Sequence, residues 1–203
     1  SNNSIQDYFN PATDSSGISV LSNNDTWSIT GNRLFQSSTK TLTANSAIIH
    51  GIRVVTTAGG HTINGNIIGY ANANKTATGA ACTIQTNTIA NISTQSKIDG
   101  IFLQSVGSST TFNTNGNIIT NLSSTATAGD VTGIYTDGST SAIDIFSNTI
   151  NNLSSAGMNT VVSGATIASG LAVNLYSNTI SAITGTGTTA PIANGIAIGG
   201  STG

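Results

Sequence analysis

The chain has 203 residues, of which five are basic and seven acidic, giving a net charge of −2 with only 6% charged residues. It contains no lysine or arginine cluster to follow a phosphate backbone, and no apolar run near the roughly 18 residues of a membrane span. Its charge and proline content are also too low for a disordered chain. We therefore expect no nucleic-acid partner, no membrane span and no extensive disorder.

The composition is typical of an all-β protein. Most polar residues are Ser, Thr and Asn, glycine occurs 23 times, and glutamate is absent. Strong helix formers are scarce, whereas the β-branched residues Ile, Val and Thr are abundant. The single cysteine, Cys82, excludes an internal disulfide and leaves the redox compartment open.

Residues 1–26 fit the later repeat poorly, and we interpret them as an N-terminal segment that leads into or caps it. From residue 27 onward a short phrase centred on asparagine recurs, beginning with Gly31-Asn32-Arg33-Leu34. The steps between its asparagines are 34, 21, 30, 31 and 30 residues. The asparagines are Asn32, Asn66, Asn87, Asn117, Asn148 and Asn178.

A second phrase, a small or apolar residue after glycine, has nearly the same period. Its last three steps are 33, 31 and 31 residues. Two independent phrases with a common period predict a right-handed parallel β-helix, with three short strands in each coil. We expect roughly 30 residues per coil and about six to seven coils. The glycines are Gly51, Gly100, Gly133, Gly164 and Gly195.

Equivalent residues of successive coils lie one above another, about 4.8 Å apart. Asparagine side chains at one tight bend can then hydrogen bond to each other and to the backbone, each bond contributing roughly 0.5–1.5 kcal/mol. The leucine or isoleucine two positions after each asparagine should fill the core. The sequence thus predicts a structural ladder of Asn66, Asn87, Asn117, Asn148 and Asn178.

The residues before each asparagine alternate with period two, as in a strand with one buried face. The columns three and five positions before it are predicted to be core, and they include His61, Cys82 and Phe112. We expect Cys82 to be an inert buried thiol and His61 to cap an early core column. The columns two and four positions before it, which begin with Asn64 and Thr62, are predicted to face solvent.

The last glycine phrase, Gly195-Ile196-Ala197-Ile198, begins a coil whose asparagine would fall at about position 209. An open β-helix exposes unpaired strand edges and core. We therefore expect the β-helix of residues 27–203 to continue beyond the C-terminus of this chain.

The phrases Trp27-Ser28-Ile29-Thr30-Gly31-Asn32, His61-Thr62-Ile63-Asn64-Gly65-Asn66-Ile67-Ile68-Gly69 and Ser147-Asn148-Thr149-Ile150 resemble those of large repetitive cell-surface proteins of Bacteroidota. Proteins of that kind are predicted right-handed β-helices of the pectin-lyase-like superfamily, and many carry a C-terminal signal for type IX secretion. The resemblance runs from about residue 27 to the end. It implies an extracellular or cell-surface location and export by type IX secretion.

Enzymes among pectin-lyase-like proteins keep acidic and basic residues together on one sheet face, and this chain shows no such grouping in sequence. Asp99 precedes its glycine by one residue and Asp130 by three, so they occupy different coil positions. Asp130 and Asp137 flank the same glycine and are expected to be loop acids. We expect no catalytic residue and no enzyme activity. A polysaccharide lyase or glycoside hydrolase is the alternative.

No cofactor is expected either. His50 and His61 lack the spacing of metal ligands, and a chain without glutamate and with one cysteine is a poor zinc protein. The basic residues occupy no fixed coil position and are expected on the solvated surface. They are Arg33, Lys40, Arg53, Lys75 and Lys97.

One outward column carries two aromatic residues on successive coils, Phe146 and Tyr176, beside Asp144 and Asn174. A sugar ring can stack on an aromatic ring while neighbouring polar groups bind its hydroxyls. These four residues are the candidate carbohydrate-contact site. The alternative is that an inserted loop covers the aromatic pair.

The resulting functional hypothesis is a non-enzymatic structural or adhesive segment of a large secreted protein. The alternative is a polysaccharide-binding module or a polysaccharide-degrading enzyme on the same fold. The expected partner is a surface glycan, or other copies or segments of the same large protein.

Overall fold

The protein is a parallel β-solenoid in the computed structural model. Its described residues form strands, turns and bends and contain no helix. This confirms the all-β fold expected from the composition. The described residues are 1–8, 13–21, 26–35, 48–56, 61–68, 82–85, 87–94, 97–105, 111–125, 127–137, 142–170 and 172–199.

The strands are short, and nineteen of them lie in the described part of the chain. In chain order they are β1 (Ser4–Gln6), β2 (Ser15–Val20), β3 (Ser28–Thr30), β4 (Arg33–Phe35), β5 (Ile48–Thr56), β6 (Thr62–Asn64), β7 (Ile67–Ile68), β8 (Cys82–Gln85), β9 (Thr88–Thr94), β10 (Lys97–Ser105), β11 (Thr111–Asn115), β12 (Ile118–Ser124), β13 (Val131–Asp137), β14 (Ala142–Phe146), β15 (Thr149–Ser155), β16 (Val161–Ile167), β17 (Ala172–Tyr176), β18 (Thr179–Gly185) and β19 (Ile192–Ile198).

These strands form three parallel sheets, called A, B and C here. Sheet A has the order β1-β4-β7-β9-β12-β15-β18, sheet B β2-β5-β10-β13-β16-β19 and sheet C β3-β6-β8-β11-β14-β17. Most coils contribute one strand to each sheet, as predicted, but no sheet B strand is described between β7 and β8, and β5 pairs directly with β10. The evenly spaced part comprises about four turns roughly 31 residues apart, slightly fewer than the predicted six to seven coils. The earlier strands continue the same sheets with unequal coil lengths.

The core is a stack of aliphatic columns. Sheet A places the isoleucine two positions after each ladder asparagine in one column, and Ile89, Ile119 and Ile150 are all fully buried there. Sheet C contributes Ile63 and Ile145, which were also predicted as core. These predictions are confirmed. Asn64 is an exception, because the residue predicted to face solvent is fully buried.

The glycines of the second phrase lie where sheet B comes closest to sheet A. A Cβ placed on Gly133 would lie 2.5 Å from the carbonyl oxygen of Gly164 and 2.7 Å from Cγ2 of Ile150. Gly51 and Gly100 meet the same two kinds of neighbour at equally short distances. The phrase therefore repeats because no other side chain fits between the next coil and the core isoleucine.

The asparagine ladder is present and longer than predicted. Each ladder asparagine donates its backbone N–H and its Nδ2 to the Oδ1 of the asparagine in the next coil, at 2.8 to 3.1 Å. Several Nδ2 groups also donate to a sheet C carbonyl, as Asn148 does to Thr114 O at 2.9 Å. Asn66, Asn87 and Asn117 are fully buried. The ladder consists of Asn3, Asn32, Asn66, Asn87, Asn117, Asn148 and Asn178.

Wherever the residue before a ladder asparagine is described, it turns the chain with a left-handed backbone. Gly65 and Gly116 have φ of 61° and 62° there, and Ser147 and Ser177 both have φ of 54°. Glycine adopts this region without strain, whereas serine does so at a small cost. The Gly-or-Ser preference in the phrase is thus a property of the bend.

Residues 1–26 contribute two strands to the solenoid. Strand β1 pairs with β4 in sheet A, and β2 pairs with β5 in sheet B. Asn3 lies 29 residues before Asn32 and accordingly begins the ladder. Tyr8 packs against the core beside these strands. The assignment of this segment as a lead-in or cap, with a boundary at residue 27, stays a prediction.

We predict that Gly133→Ala destabilises the protein by roughly 1–3 kcal/mol, because the added methyl group would overlap a backbone oxygen that cannot move away. Gly195→Ala is the matched control, since nothing lies within 4 Å of a Cβ at that position. Urea unfolding followed by circular dichroism measures both. Equal unfolding midpoints for the two variants would contradict this explanation of the glycine column.

Asn117→Ala should lower the free energy of unfolding by roughly 1–3 kcal/mol or more, because it removes the acceptor of the buried Asn87 backbone N–H and of one Nδ2 hydrogen, leaving Nδ2 only its bond to Ile63 O. Asn178→Ala removes the same acceptor from Asn148, but in a half-buried setting where water can replace it. We therefore expect a smaller loss for Asn178→Ala in the same urea titration. A larger loss at Asn178 would refute the assignment of the energy to burial.

Candidate functional site

The predicted carbohydrate-contact residues lie together on sheet C. The Phe146 and Tyr176 rings are stacked, with centroids 4.9 Å apart and planes 1° from parallel. They are paired in register on β14 and β17. Phe146 is half-buried and Tyr176 is 52% exposed. The sequence therefore placed this pair correctly, and over Tyr176 no covering loop is found among the described residues.

The polar residues of the site form a pair of their own. Asn174 Nδ2 donates a hydrogen bond to Asp144 Oδ1 at 2.8 Å. Asn174 is exposed and Asp144 is half-buried, so the remaining carboxylate and amide atoms are open to solvent. Such a pair offers both donors and acceptors to the hydroxyl groups of a sugar.

The stacking direction limits how a sugar could bind. Since the centroid separation matches the spacing of adjacent strands, each ring lies flat against its neighbour along the solenoid axis. One face of Phe146 is therefore covered by Tyr176. The edges of both rings therefore remain for a ligand, and the outer face of Tyr176 points toward the position of a next coil.

A second group of side chains, on sheet B, was missed by the sequence reasoning. Arg53, Phe102 and Tyr135 are paired in register on β5, β10 and β13. The Phe102 and Tyr135 rings are stacked at 5.4 Å with planes 4° apart, and the Arg53 guanidinium lies 5.9 Å from the Phe102 centroid. Lys97 Nζ lies 4.7 Å from the Tyr135 centroid. Both cations are thus within the range of cation–π attraction.

The same group contains a buried acid. Asp99 is fully buried, and its Oδ2 lies 3.4 Å from Lys97 Nζ and 3.5 Å from His50 Nδ1. His50 is also buried and contacts the Phe102 ring at 5.2 Å between centroids. Neither oxygen of Asp99 has a hydrogen bond of good geometry among the described residues. Lys97 therefore compensates the carboxylate by charge rather than by a directed bond.

We call His50, Arg53, Lys97, Asp99, Phe102 and Tyr135 the sheet B cluster. Burial shifts the two titrating groups in opposite directions. It lowers the pKa of His50 from 6.5 to about 4, with the nearby Arg53 and Lys97 charges adding to the effect. Burial raises the pKa of Asp99 from 3.8 to about 6, although Lys97 opposes that shift. At neutral pH His50 is accordingly neutral and Asp99 mostly ionised.

The structure corrects several expectations about charged residues. Lys97 was expected on the solvated surface, but its side chain is only 27% exposed and contacts Asp99. Asp137 was expected in a loop, but it ends β13 and accepts hydrogen bonds from Gln104 and Ser169. Asp130 does lie outside the strands, as expected, and its Oδ1 accepts the Val161 N–H at 2.8 Å at the start of β16.

The predictions for His61 and Cys82 have different outcomes. His61 is buried in its column, and its Nδ1 accepts the Trp27 N–H at 3.3 Å. Cys82 and Phe112 are paired in register on β8 and β11 as predicted, but their side chains lie outside the described residues. Lys40 and Lys75 lie outside them as well.

The chemistry available in the described part of the chain is limited. No group of three or more His, Cys, Asp or Glu residues there could hold a metal ion. Nor does that part contain a helix suited by length and hydropathy to cross a membrane. Asp99, the carboxylate with the most perturbed pKa, has no exposed surface and cannot touch a polymeric substrate. The ring, cation–π and ion-pair contacts of the sheet B cluster therefore join β5, β10 and β13.

Because the pKa values of His50 and Asp99 are shifted in opposite directions, their effects on the pH dependence of the unfolding free energy can be separated only in variants. Between pH 6.5 and 4 the unfolded chain takes up a proton at His50 that the folded chain does not, so this residue makes stability fall on acidification. Between pH 6 and 3.8 the folded chain takes up a proton at Asp99 first, so this residue makes stability rise. The two contributions therefore oppose each other in the wild type.

We expect His50→Leu to become more stable, and Asp99→Asn less stable, on going from pH 7 to pH 4.5, each relative to the wild type over the same interval. The size of each change should be roughly 2–3 kcal/mol. Urea unfolding at the two pH values measures it. His61, whose pKa is also lowered by burial, contributes equally to all three proteins. Identical pH slopes in both variants would show that the cluster does not titrate as described.

Comparison with known proteins adds no family to this geometry. No family model matches the chain, and no curated protein or solved structure is significantly similar to it. The function must therefore be inferred from the solenoid and from its two side-chain groups, the Phe146–Tyr176 pair on sheet C and the sheet B cluster.

Proposed function

We propose that the chain is a non-enzymatic structural or adhesive segment of a large secreted or cell-surface protein. The observation that carries this proposal is the ladder from Asn3 to Asn178, which joins every successive pair of coils by two hydrogen bonds. A rod held in this way keeps its length and surface without a ligand. That property suits a spacer or a platform for attachment.

The composition supports the same role. With one cysteine the chain has no internal disulfide, and with 6% charged residues it has few surface ion pairs. Its stability must therefore come from the aliphatic columns and the ladder, which are largely insensitive to salt and redox conditions. Such independence is useful outside the cell. An extracellular or cell-surface location, with type IX secretion and an origin in Bacteroidota, belongs to this proposal.

Adhesion to a glycan is the more specific form of the proposal. It is supported by the Phe146–Tyr176 stack and by the Asn174–Asp144 pair beside it. The exposed edges of the Phe146 and Tyr176 rings would pack against a sugar ring, and the Asp144 carboxylate would bind its hydroxyls. A polysaccharide-degrading enzyme on the same fold is the competing function. It would need acid and base groups that reach a substrate, and the buried Asp99 does not meet that need.

We predict that a labelled form of the chain binds a subset of glycans on an array. Tyr176→Ala should lower that binding roughly two- to tenfold, since contact with an aromatic ring contributes about 0.5–1.5 kcal/mol. Met158→Ala is the matched control, because Met158 has a similar exposed fraction, 47%, elsewhere on the surface. Loss of binding in both variants would argue against a site at Tyr176.

The non-enzymatic part is tested by incubation of the chain with pectin or alginate. We expect no release of unsaturated or reducing uronate products. Release of either kind of product would refute the structural proposal and would favour the enzyme.

A further inference from the structure

Lysine and arginine are distributed unevenly along this chain. All five lie at or before position 97, whereas residues 98–203 contain four acidic residues and no basic one. The three described basic residues belong to two of the sheets, Arg33 to sheet A and Arg53 and Lys97 to sheet B. In the described part of the chain, sheet C therefore carries no basic residue.

The strands of sheet C carry one carboxylate, that of Asp144. The other three acids after position 97 lie on or next to sheet B and have partners there: Asp99, Asp130 and Asp137. Asp144 accepts a hydrogen bond from the neutral amide of Asn174, and neither ion pair of the described residues includes it. Its negative charge is thus not compensated by any described cation.

The exposure of Asp144 does not depend on the last coil. Strand β14 lies between β11 and β17, so Asp144 has Asn113 on one side and Asn174 on the other. It is half-buried between these two uncharged side chains. Asn174 binds Oδ1, which leaves Oδ2 for a ligand.

The outward columns on the two sides of Asp144 differ in size. On one side stand the stacked rings of Phe146 and Tyr176, whose edges remain for a ligand. On the other side lie the small side chains of Ala142 and Ala172. A flat ligand can therefore lie over the alanines, reach the carboxylate and contact the ring edges. Because the edge of an aromatic ring is positively polarised, it attracts oxygen atoms such as those of a sugar.

We propose that the ligand of this site is a polysaccharide with free amino groups, whose protonated amine binds Asp144 while its sugar ring packs against the edges of Phe146 and Tyr176. A uronate or sulfated polymer would bring an anion to an uncompensated carboxylate and would be repelled. A neutral polymer would contact the ring edges but would gain nothing from the charge. This inference rests on the proposed adhesion to a glycan and adds the chemical class of that glycan.

The experiment is isothermal titration calorimetry of the chain with four short ligands at about pH 6 and low salt, where the amines are largely protonated and charges are little screened. The ligands are tetramers of glucosamine, N-acetylglucosamine and galacturonate, and a lysine tetrapeptide. The glucosamine tetramer should bind roughly two- to fivefold more tightly than its acetylated form, which is the range for an exposed ion pair. The galacturonate tetramer should bind more weakly than both.

Two variants assign the preference to one carboxylate. Asp144→Asn should bind the glucosamine and N-acetylglucosamine tetramers equally, because it removes the charge and keeps the shape. Asp137→Asn is the matched control, since it removes one negative charge from sheet B and leaves sheet C unchanged, and it should keep the full preference. Circular dichroism checks that both variants are folded. In the wild type, added salt should reduce the preference without any substitution.

Four outcomes would overturn the proposal, and they separate it from glycan adhesion in general. Equal binding of the amino and acetylated tetramers by the wild type would refute the ligand class and leave adhesion to a glycan standing. An equal effect of Asp137→Asn would show that net charge, and not Asp144, creates the preference. Binding of the lysine tetrapeptide as tight as that of the glucosamine tetramer would show that the site binds a cation and not a sugar. Absence of binding to all three sugar tetramers would refute both this inference and glycan adhesion.

Discussion

The structure depends on one repeated constraint, the double acceptance of hydrogen bonds by the Oδ1 of each ladder asparagine. That oxygen binds the backbone N–H and the side-chain amide of the asparagine in the preceding coil. The bend must therefore recur at the same place in every coil, whatever the length of the connection between. The coil between Asn66 and Asn87 is 21 residues long and the one before it is 34, yet both keep the ladder. Once the bend is fixed, the isoleucine two positions later must point into the core.

Most of this fold could be predicted from the sequence because equivalent positions of successive coils carry the same residue type. Asparagine, isoleucine and glycine each repeat with a common period, and each has a physical reason to be the same in every coil. Asn3 was not recognised as a ladder residue from the sequence. The pair Asn3 and Ile5 matches the phrase and lies 29 residues before Asn32, but residues 1–26 were set aside as irregular. Asn64 was misassigned because alternation predicts which face a side chain is on, and not whether other residues cover that face.

The site was predicted only in part, for a related reason. Phe146 and Tyr176 share a position relative to the ladder asparagine, so alignment on asparagine revealed them. The sheet B cluster becomes visible only when the coils are aligned on the glycine phrase. His50 and Asp99 then share the position before glycine, and Phe102 and Tyr135 share the second position after it. The depth of Asp99 could not be read from the sequence at all, since a charged residue in a strand is normally exposed.

The direction of the hydrogen bonds in the ladder has a consequence for the order in which the protein forms. Each asparagine donates to the Oδ1 of the asparagine in the following coil, so the acceptor of each bond is synthesised after its donor. A chain that emerges from the ribosome or from a secretion channel with its N-terminus first can therefore complete one coil at a time. No earlier bond has to break when the next coil arrives. The coils of the solenoid can therefore form in the same N-to-C order in which they are synthesised.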